Sequence, residues 1–178
     1  MTTAVTAAMV KASRIALMSF DVDGVLTDGT LYFNSQGHEI KAFSSLDGHG
    51  LKMLQQAGVE VAIISGRSSR ALELRAENLG VKELHMGVED KRALLTQLAA
   101  QRGIDLAQTG YMGDDVVDLP VLRACGFSAT VADGHGEVLA RVDYVATKGG
   151  GRGAAREVCD LILRAQGKWN AAMAEYLA

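Results

Sequence analysis

No run of about 18 consecutive apolar residues occurs in the 178-residue chain, which leaves no stretch suited to a membrane-spanning helix. The opening MTTAVTAAMV lacks the early positive charge and long apolar run of a signal peptide, so export is not expected either. Cysteine is scarce. Cys125 and Cys159 both fall in stretches that read as apolar helix faces, which fits packing in a reduced, cytoplasmic setting rather than a disulfide framework. Neither sign of charge dominates: a net charge of -3, with acidic and basic residues interspersed, gives no footprint for a polyanion such as nucleic acid. Any affinity for phosphate must therefore be local. His38, His49, His85 and His135 show no metal-ligand spacing and read as polar turn or surface residues, which argues against a zinc site.

What is present is the balance of a globular protein, 48% hydrophobic and 22% charged residues, enough for one core in one domain over residues 1–178. Residues 15–20 form a short apolar run that ends in acidic residues, the pattern of a buried strand meeting a loop. Residues 30–33 and 39–43 are strand-like and separated by Asn34, Ser35, Gln36 and Gly37, which suits a β-hairpin within an insertion of about 28–44. From Leu51 onward, helical patterns closed by Gly58, Gly80, Gly103 and Gly126 alternate with apolar strands at 59–64, 83–86, 109–112, 127–131 and 144–146. This alternation predicts an α/β fold: a doubly wound, Rossmann-like parallel sheet with helices on both faces and right-handed crossovers. A glycine-rich segment and helical tail follow over about 148–178, where Trp169, Met173 and Tyr176 or Leu177 share a face suited to packing.

In open sheets of this kind ligands bind beyond the carboxyl ends of the strands. Those positions carry Asp21 and Asp23 in DVDGVLTDG, then Ser65, Gly66 and Arg67, then Lys91 opening a helix, then Gly113, Asp114, Asp115 and Asp118. A phosphomonoester is an anionic electrophile, so a carboxylate attacks it only when a cation and nearby donors offset the repulsion. Asp21 as nucleophile, with Mg²⁺ on Asp21 and Asp114 and on the backbone carbonyl of Asp23, would meet that need. Asp23 is placed to protonate the leaving alcohol and then to deprotonate water. Ser65 and Lys91 would hold the phosphoryl oxygens, while Asp115 and Asp118 orient the lysine or metal-bound waters.

These motifs, in this order, resemble those of the haloacid dehalogenase superfamily, with all four signature elements between Asp21 and Asp118. The short hairpin in place of a large cap, the DGHG loop and GGGRGAAREV resemble more narrowly the 3-deoxy-D-manno-octulosonate 8-phosphate phosphatases. That resemblance implies a magnesium-dependent hydrolase acting through a phospho-aspartate, with the free sugar acid going to lipopolysaccharide. It also implies a cytoplasmic homotetramer in which a neighbouring chain helps to close each site. It further implies that Ser44, Ser45, Leu46, Asp47, Gly48, Lys52, Arg67 and Arg75 surround the substrate, whose carboxylate needs cations. Family members carry polar or basic residues where Ser45 and Leu46 stand, so backbone contacts are implied there.

Plainer interpretations stand beside these. An Asp-x-Asp after a strand also fills turns and caps, Ser65 and Gly66 also form an ordinary turn, and Lys91 also suits a solvated first helical turn. Arg75 is equally suited to a surface salt bridge with Glu73. The glycines at 149, 150, 151 and 153 lack the Lys-Ser/Thr ending of a nucleotide P-loop and suit a flexible tail closing over a pocket. Two rivals to the implied activity remain open: a phosphatase for a nine-carbon sugar-acid phosphate, and a non-catalytic domain of the same fold.

Overall fold

A computed structural model describes residues 3–177; the ends of the expected domain span, residues 1, 2 and 178, lie outside the described residues. The chain begins with α1 (Thr3–Ala12) and β1 (Leu17–Phe20), followed by the hairpin strands β2 (Tyr32–Phe33) and β3 (Glu39–Ile40). Then come α2 (Ser45–Gln56), β4 (Glu60–Ile64), α3 (Arg70–Leu79), β5 (Glu83–His85) and α4 (Lys91–Gln101). The second half holds β6 (Thr109–Met112), α5 (Leu119–Leu122), β7 (Phe127–Thr130), α6 (Gly136–Leu139), β8 (Tyr144–Val145), α7 (Ala154–Ala165) and α8 (Trp169–Ala174).

Six strands form one parallel sheet in the order β5-β4-β1-β6-β7-β8. Because alternate side chains of a strand point to opposite faces, each strand feeds two cores. Met18, Phe20, Val61, Ile63 and Met112 join residues of α1, α2, α3 and α7 on one face. Leu17, Ala62, Ile64 and Tyr111 join Leu95, Leu98, Val121, Leu122 and Val138 of α4, α5 and α6 on the other. The doubly wound sheet expected from the sequence is thus present. Cys159 lies in the first core and Cys125 beside the second, both unbonded. No helix among the described residues is long and apolar enough to cross a membrane.

The hairpin pairs only Tyr32 with Ile40 and Phe33 with Glu39, shorter than the runs expected at 30–33 and 39–43. Its strands stand outside the main sheet, so no further ladder extends them. Gly58, Gly80 and Gly103 close helical segments with φ between +63° and +79°, but Gly126 does not. α5 has already ended at Leu122, and Gly126 is required for closeness instead: a Cβ there would lie 2.1 Å from the Ala107 carbonyl oxygen. Trp169 and Met173 pack on the core, whereas Leu177 is exposed and Tyr176 meets His49 edge-on at 5.6 Å.

Candidate active site

The chain runs from β1 toward β4 and β5 on one side and returns to build β6, β7 and β8 on the other. The crevice between β1 and β6 is therefore the point where the winding reverses, the usual ligand position in such sheets. Phe20 is in register with both Ile63 and Met112, so Asp21, Ser65 and the Gly113–Asp114 step emerge at nearly one level. The Asp21 amide donates to the Met112 carbonyl at 2.9 Å, fixing the first residue beyond β1.

Oxygens of Asp21, Asp114 and Asp118 lie within 4.8 Å of one another. Lys91, the first residue of α4, points its ammonium into this cluster, 3.0 Å from Asp21 Oδ2 and 2.7 Å from Asp118 Oδ1. Asp118 is fully buried and engaged: Oδ1 also accepts the Tyr111 hydroxyl at 3.2 Å, and Oδ2 accepts the Asp114 amide at 3.2 Å. It thus anchors Lys91 and the Asp114 turn. Asp115, by contrast, is exposed and accepts the amide of Val116, so the lysine is oriented by Asp118 alone of the two.

The remaining pair, Asp21 and Asp114, has the character of a cation site. Burial first, and the negative charge of Asp118 second, raise the Asp21 carboxyl to about 7 despite Lys91. Burial first, then repulsion from Asp21 and Asp118, raises Asp114 to about 7 as well. Asp114 Oδ1 is buried without a hydrogen-bond partner. Hard oxygen donors, two carboxylates and an unsatisfied buried oxygen suit Mg²⁺, which takes one or two carboxylates with waters and substrate oxygens. Gly24 keeps this space open: with φ at +89°, a Cβ there would fall 2.0 Å from Asp114 Oδ2.

Ser65 is buried, and its Oγ accepts the Arg67 amide at 3.1 Å, which leaves the hydroxyl proton available to an anion. Asp23 lies two residues beyond Asp21 and pairs with Lys41, and Arg67 Nε lies 3.7 Å from its other oxygen. Lys91 carries opposing influences: burial lowers the ammonium, but the charges of Asp21 and Asp118 outweigh it and the net shift is upward. The lysine stays charged.

The proposed substrate residues divide. Ser44, Ser45 and Leu46 line an open pocket of about 300 Å³ with Asp28 and Arg152, next to the glycine run. Asp47 does not face that pocket. Its buried carboxylate accepts the amides of Gly153 at 3.1 Å and Arg156 at 2.8 Å, capping the start of α7, so its environment is structural. Gly48 permits a close approach, since a Cβ would lie 2.1 Å from Arg75 Nη2. Arg75 donates to the Ser44 carbonyl at 3.0 Å and lies over the Phe43 ring, which braces the entry to α2. Glu73 pairs with Arg70 instead. Lys52 is exposed, with no ion pair among the described residues. The glycine run is not a loose tail: the Gly151 amide donates to the Val25 carbonyl at 2.9 Å, and the Gly150 amide to Asp133 at 3.0 Å. Larger hollows, of about 320, 350 and 480 Å³, share no residue with the acidic cluster.

Sequence reasoning passed over Glu39, Lys41 and Arg152. The available signal was the spacing of Glu39 and Lys41, which places both on one face of a strand.

A family model described as haloacid dehalogenase-like hydrolase matches residues 84–157. The 3-deoxy-D-manno-octulosonate 8-phosphate phosphatase of Escherichia coli (strain B / BL21-DE3) is 44% identical over 160 residues, covering 90% of this chain and 85% of that protein. The enzyme of the same name from Yersinia pestis is 46% identical over 158 residues, 89% of this chain and 84% of its own. Among solved structures, the Moraxella catarrhalis phosphatase of that name, in complex with magnesium, phosphate and the sugar acid, superposes with a TM-score of 0.93 at 44% identity. The alignment covers 95% of this chain and 97% of that one. A probable phosphatase from Pseudomonas syringae superposes with a TM-score of 0.95 at 47% identity, covering 97% and 98%.

Proposed function

The chain belongs to the haloacid dehalogenase-like hydrolases, in the family of 3-deoxy-D-manno-octulosonate 8-phosphate phosphatases, and from this we propose that it hydrolyses that ester to the free sugar acid and phosphate with Mg²⁺, in lipopolysaccharide synthesis. The observation that carries the chemistry is the meeting of Asp21 and Asp114 at the reversal point of the sheet, with the Lys91 ammonium 3.0 Å from Asp21.

In this mechanism Asp21 attacks phosphorus in line with the leaving oxygen. The bond from phosphorus to the sugar oxygen breaks, its electron pair goes to that oxygen, and Asp23 supplies the proton. Water then attacks the phospho-aspartate and gives its proton to Asp23. The phosphorus–oxygen bond to Asp21 breaks, which restores the carboxylate and frees inorganic phosphate. Lys91 and the Ser65 hydroxyl hold phosphoryl oxygens, Lys91 itself being held by the buried Asp118. Magnesium held by Asp21, Asp114 and the Asp23 carbonyl would offset the negative charge of both reactants.

Arg67 is the cation best exposed to meet the sugar-acid carboxylate, and Arg152 offers a second at the pocket lined by Ser44, Ser45 and Leu46. Asp47, Gly48, Lys52 and Arg75 stay part of the proposed substrate surround, with Arg75 bracing Ser44 and Asp47 capping α7. The chain works as one domain in the cytoplasm, in keeping with its unbonded cysteines. It assembles as a homotetramer through its hairpin, where Leu31, Tyr32, Phe33 and Ile40 are exposed.

Phosphate release is measured on the eight-carbon ester and on the nine-carbon sugar-acid 9-phosphate, with Mg²⁺ and with chelator. We expect Mg²⁺-dependent turnover and the higher kcat/KM on the eight-carbon ester; a preference for the nine-carbon ester would overturn the substrate assignment. Asp21→Asn should lower kcat by more than about 10³-fold with the fold intact by circular dichroism.

A further inference from the structure

The hairpin reaches the active site through one buried cation. Glu39 and Lys41 lie two residues apart and share a face, while Ile40 between them turns outward and is 55% exposed. The Lys41 side chain is only 3% exposed, less than either carboxylate it pairs with. Its ammonium pairs with Asp23 Oδ1 and lies 3.3 Å from Glu39 Oε1. Arg67 closes the figure from the end of β4: Nη2 is 3.0 Å from Glu39 Oε1, and Nε is 3.7 Å from Asp23 Oδ2. Four groups of alternating sign thus form a ring, in which each oxygen of Asp23 has its own cation.

The two cations differ in freedom. The Arg67 side chain is 47% exposed and can exchange Asp23 for an arriving anion. Lys41 is enclosed by the two carboxylates, so substrate cannot reach its ammonium without displacing them. Burying a lysine is costly unless it is paired, and breaking such a pair leaves a charge uncompensated. A carboxylate on a loop just past a strand otherwise rotates about its side-chain bonds. A proton donor, however, must present one oxygen within hydrogen-bond reach of the departing atom.

We infer that Lys41 is a positioning residue for proton transfer. It pins Oδ1 of Asp23, so that Oδ2, on the Arg67 side, is the oxygen presented to the leaving group. This rests on the phosphatase mechanism proposed above and adds to it that the hairpin sets the geometry of the acid.

The test compares Lys41→Met and Lys41→Arg with the wild type at saturating Mg²⁺ on two esters. The sugar 8-phosphate expels an alkoxide that needs a proton; p-nitrophenyl phosphate expels a phenolate that does not. The readout is kcat/KM, which covers the steps up to departure of the leaving group. Lys41→Met should lower it about 10- to 100-fold on the sugar ester, part of the span typical of general-acid catalysis, and less than about 3-fold on the nitrophenyl ester. Lys41→Arg should recover most of the loss. Combined with Asp23→Asn, Lys41→Met should cost nothing beyond Asp23→Asn alone, since both act on one proton.

Equal losses on the two esters, additive losses in the double variant, or no loss at all would overturn the inference. Lys41→Gln takes the place of Lys41→Met if the latter fails to fold. If the wild type ignores the sugar ester but cleaves another primary-alcohol phosphate, only the substrate assignment falls, and the comparison proceeds on that ester. No Mg²⁺-dependent cleavage of any ester would overturn both.

Discussion

Asp21 and Asp114 pull the folded chain in opposite directions depending on whether a cation is present. Both carboxyls lie at about 7 in the metal-free chain, against an ordinary 3.8, chiefly because burial opposes their charge. A carboxyl raised on folding binds its proton more tightly in the folded state. The resulting stabilisation is complete below the unfolded value near 3.8 and is lost as pH rises through about 7. Because they repel each other, the two titrate as a pair. With chelator present, the melting temperature should therefore fall between pH 5 and pH 8. Mg²⁺ should raise it by several degrees at pH 8 and much less at pH 5, where it competes with protons. Calorimetry in buffers of differing ionisation enthalpy should show protons released as Mg²⁺ binds near pH 6.5. A melting temperature that rises with pH in chelator would contradict the assignment of these two groups.

Packing between elements governs the loop that follows Asp21. Gly150 and Gly151 lie against Gly24 and Thr27, where a Cβ on Gly150 would sit 1.9 Å from the Gly24 carbonyl oxygen. Gly150→Ala should therefore push the Asp21 loop aside, destabilise the fold by about 1–3 kcal/mol and lower kcat at least about tenfold. Gly136→Ala is the matched control. Nothing lies within 4 Å of its Cβ position, and the change should be neutral or stabilising by up to about 1 kcal/mol in urea titrations. What was legible in the sequence at this scale is what local pattern records. Residues 15–20 read as a strand, of which 17–20 form one, because an apolar run stops at Asp21, and Ser65, Lys91 and Asp114 read as rim residues because each follows a strand or opens a helix. The capping of α7 by Asp47 was not legible because its partners, Gly153 and Arg156, lie 106 and 109 positions along the chain. Lys41 was missed because the Glu39/Lys41 alternation tells that the two share a face, but not that the hairpin folds that face back onto Asp23.

Across the whole molecule, the sheet with helices on both faces was readable from alternating helical and apolar segments, since buried parallel strands are apolar on both faces, but one core was expected where the sheet separates two. The proposed association of subunits is less directly encoded, since it would rest on a hairpin with only two residues in each strand. Phe33 is 57% exposed there, beside Tyr32 and Ile40, and a two-stranded ribbon standing alone is marginal in water. Phe33→Glu should shift the particle mass from four subunits toward one in light scattering, with turnover falling as the hairpin loses its support. An unchanged mass would remove the hairpin from the interface. The seating of Gly150 and Gly151 on the loop after Asp21 also bears on how the protein is made. Asp21 leaves the ribosome well before the backbone that braces its loop is translated. A nascent chain thus carries this carboxylate through an interval of synthesis in which its surroundings are still incomplete.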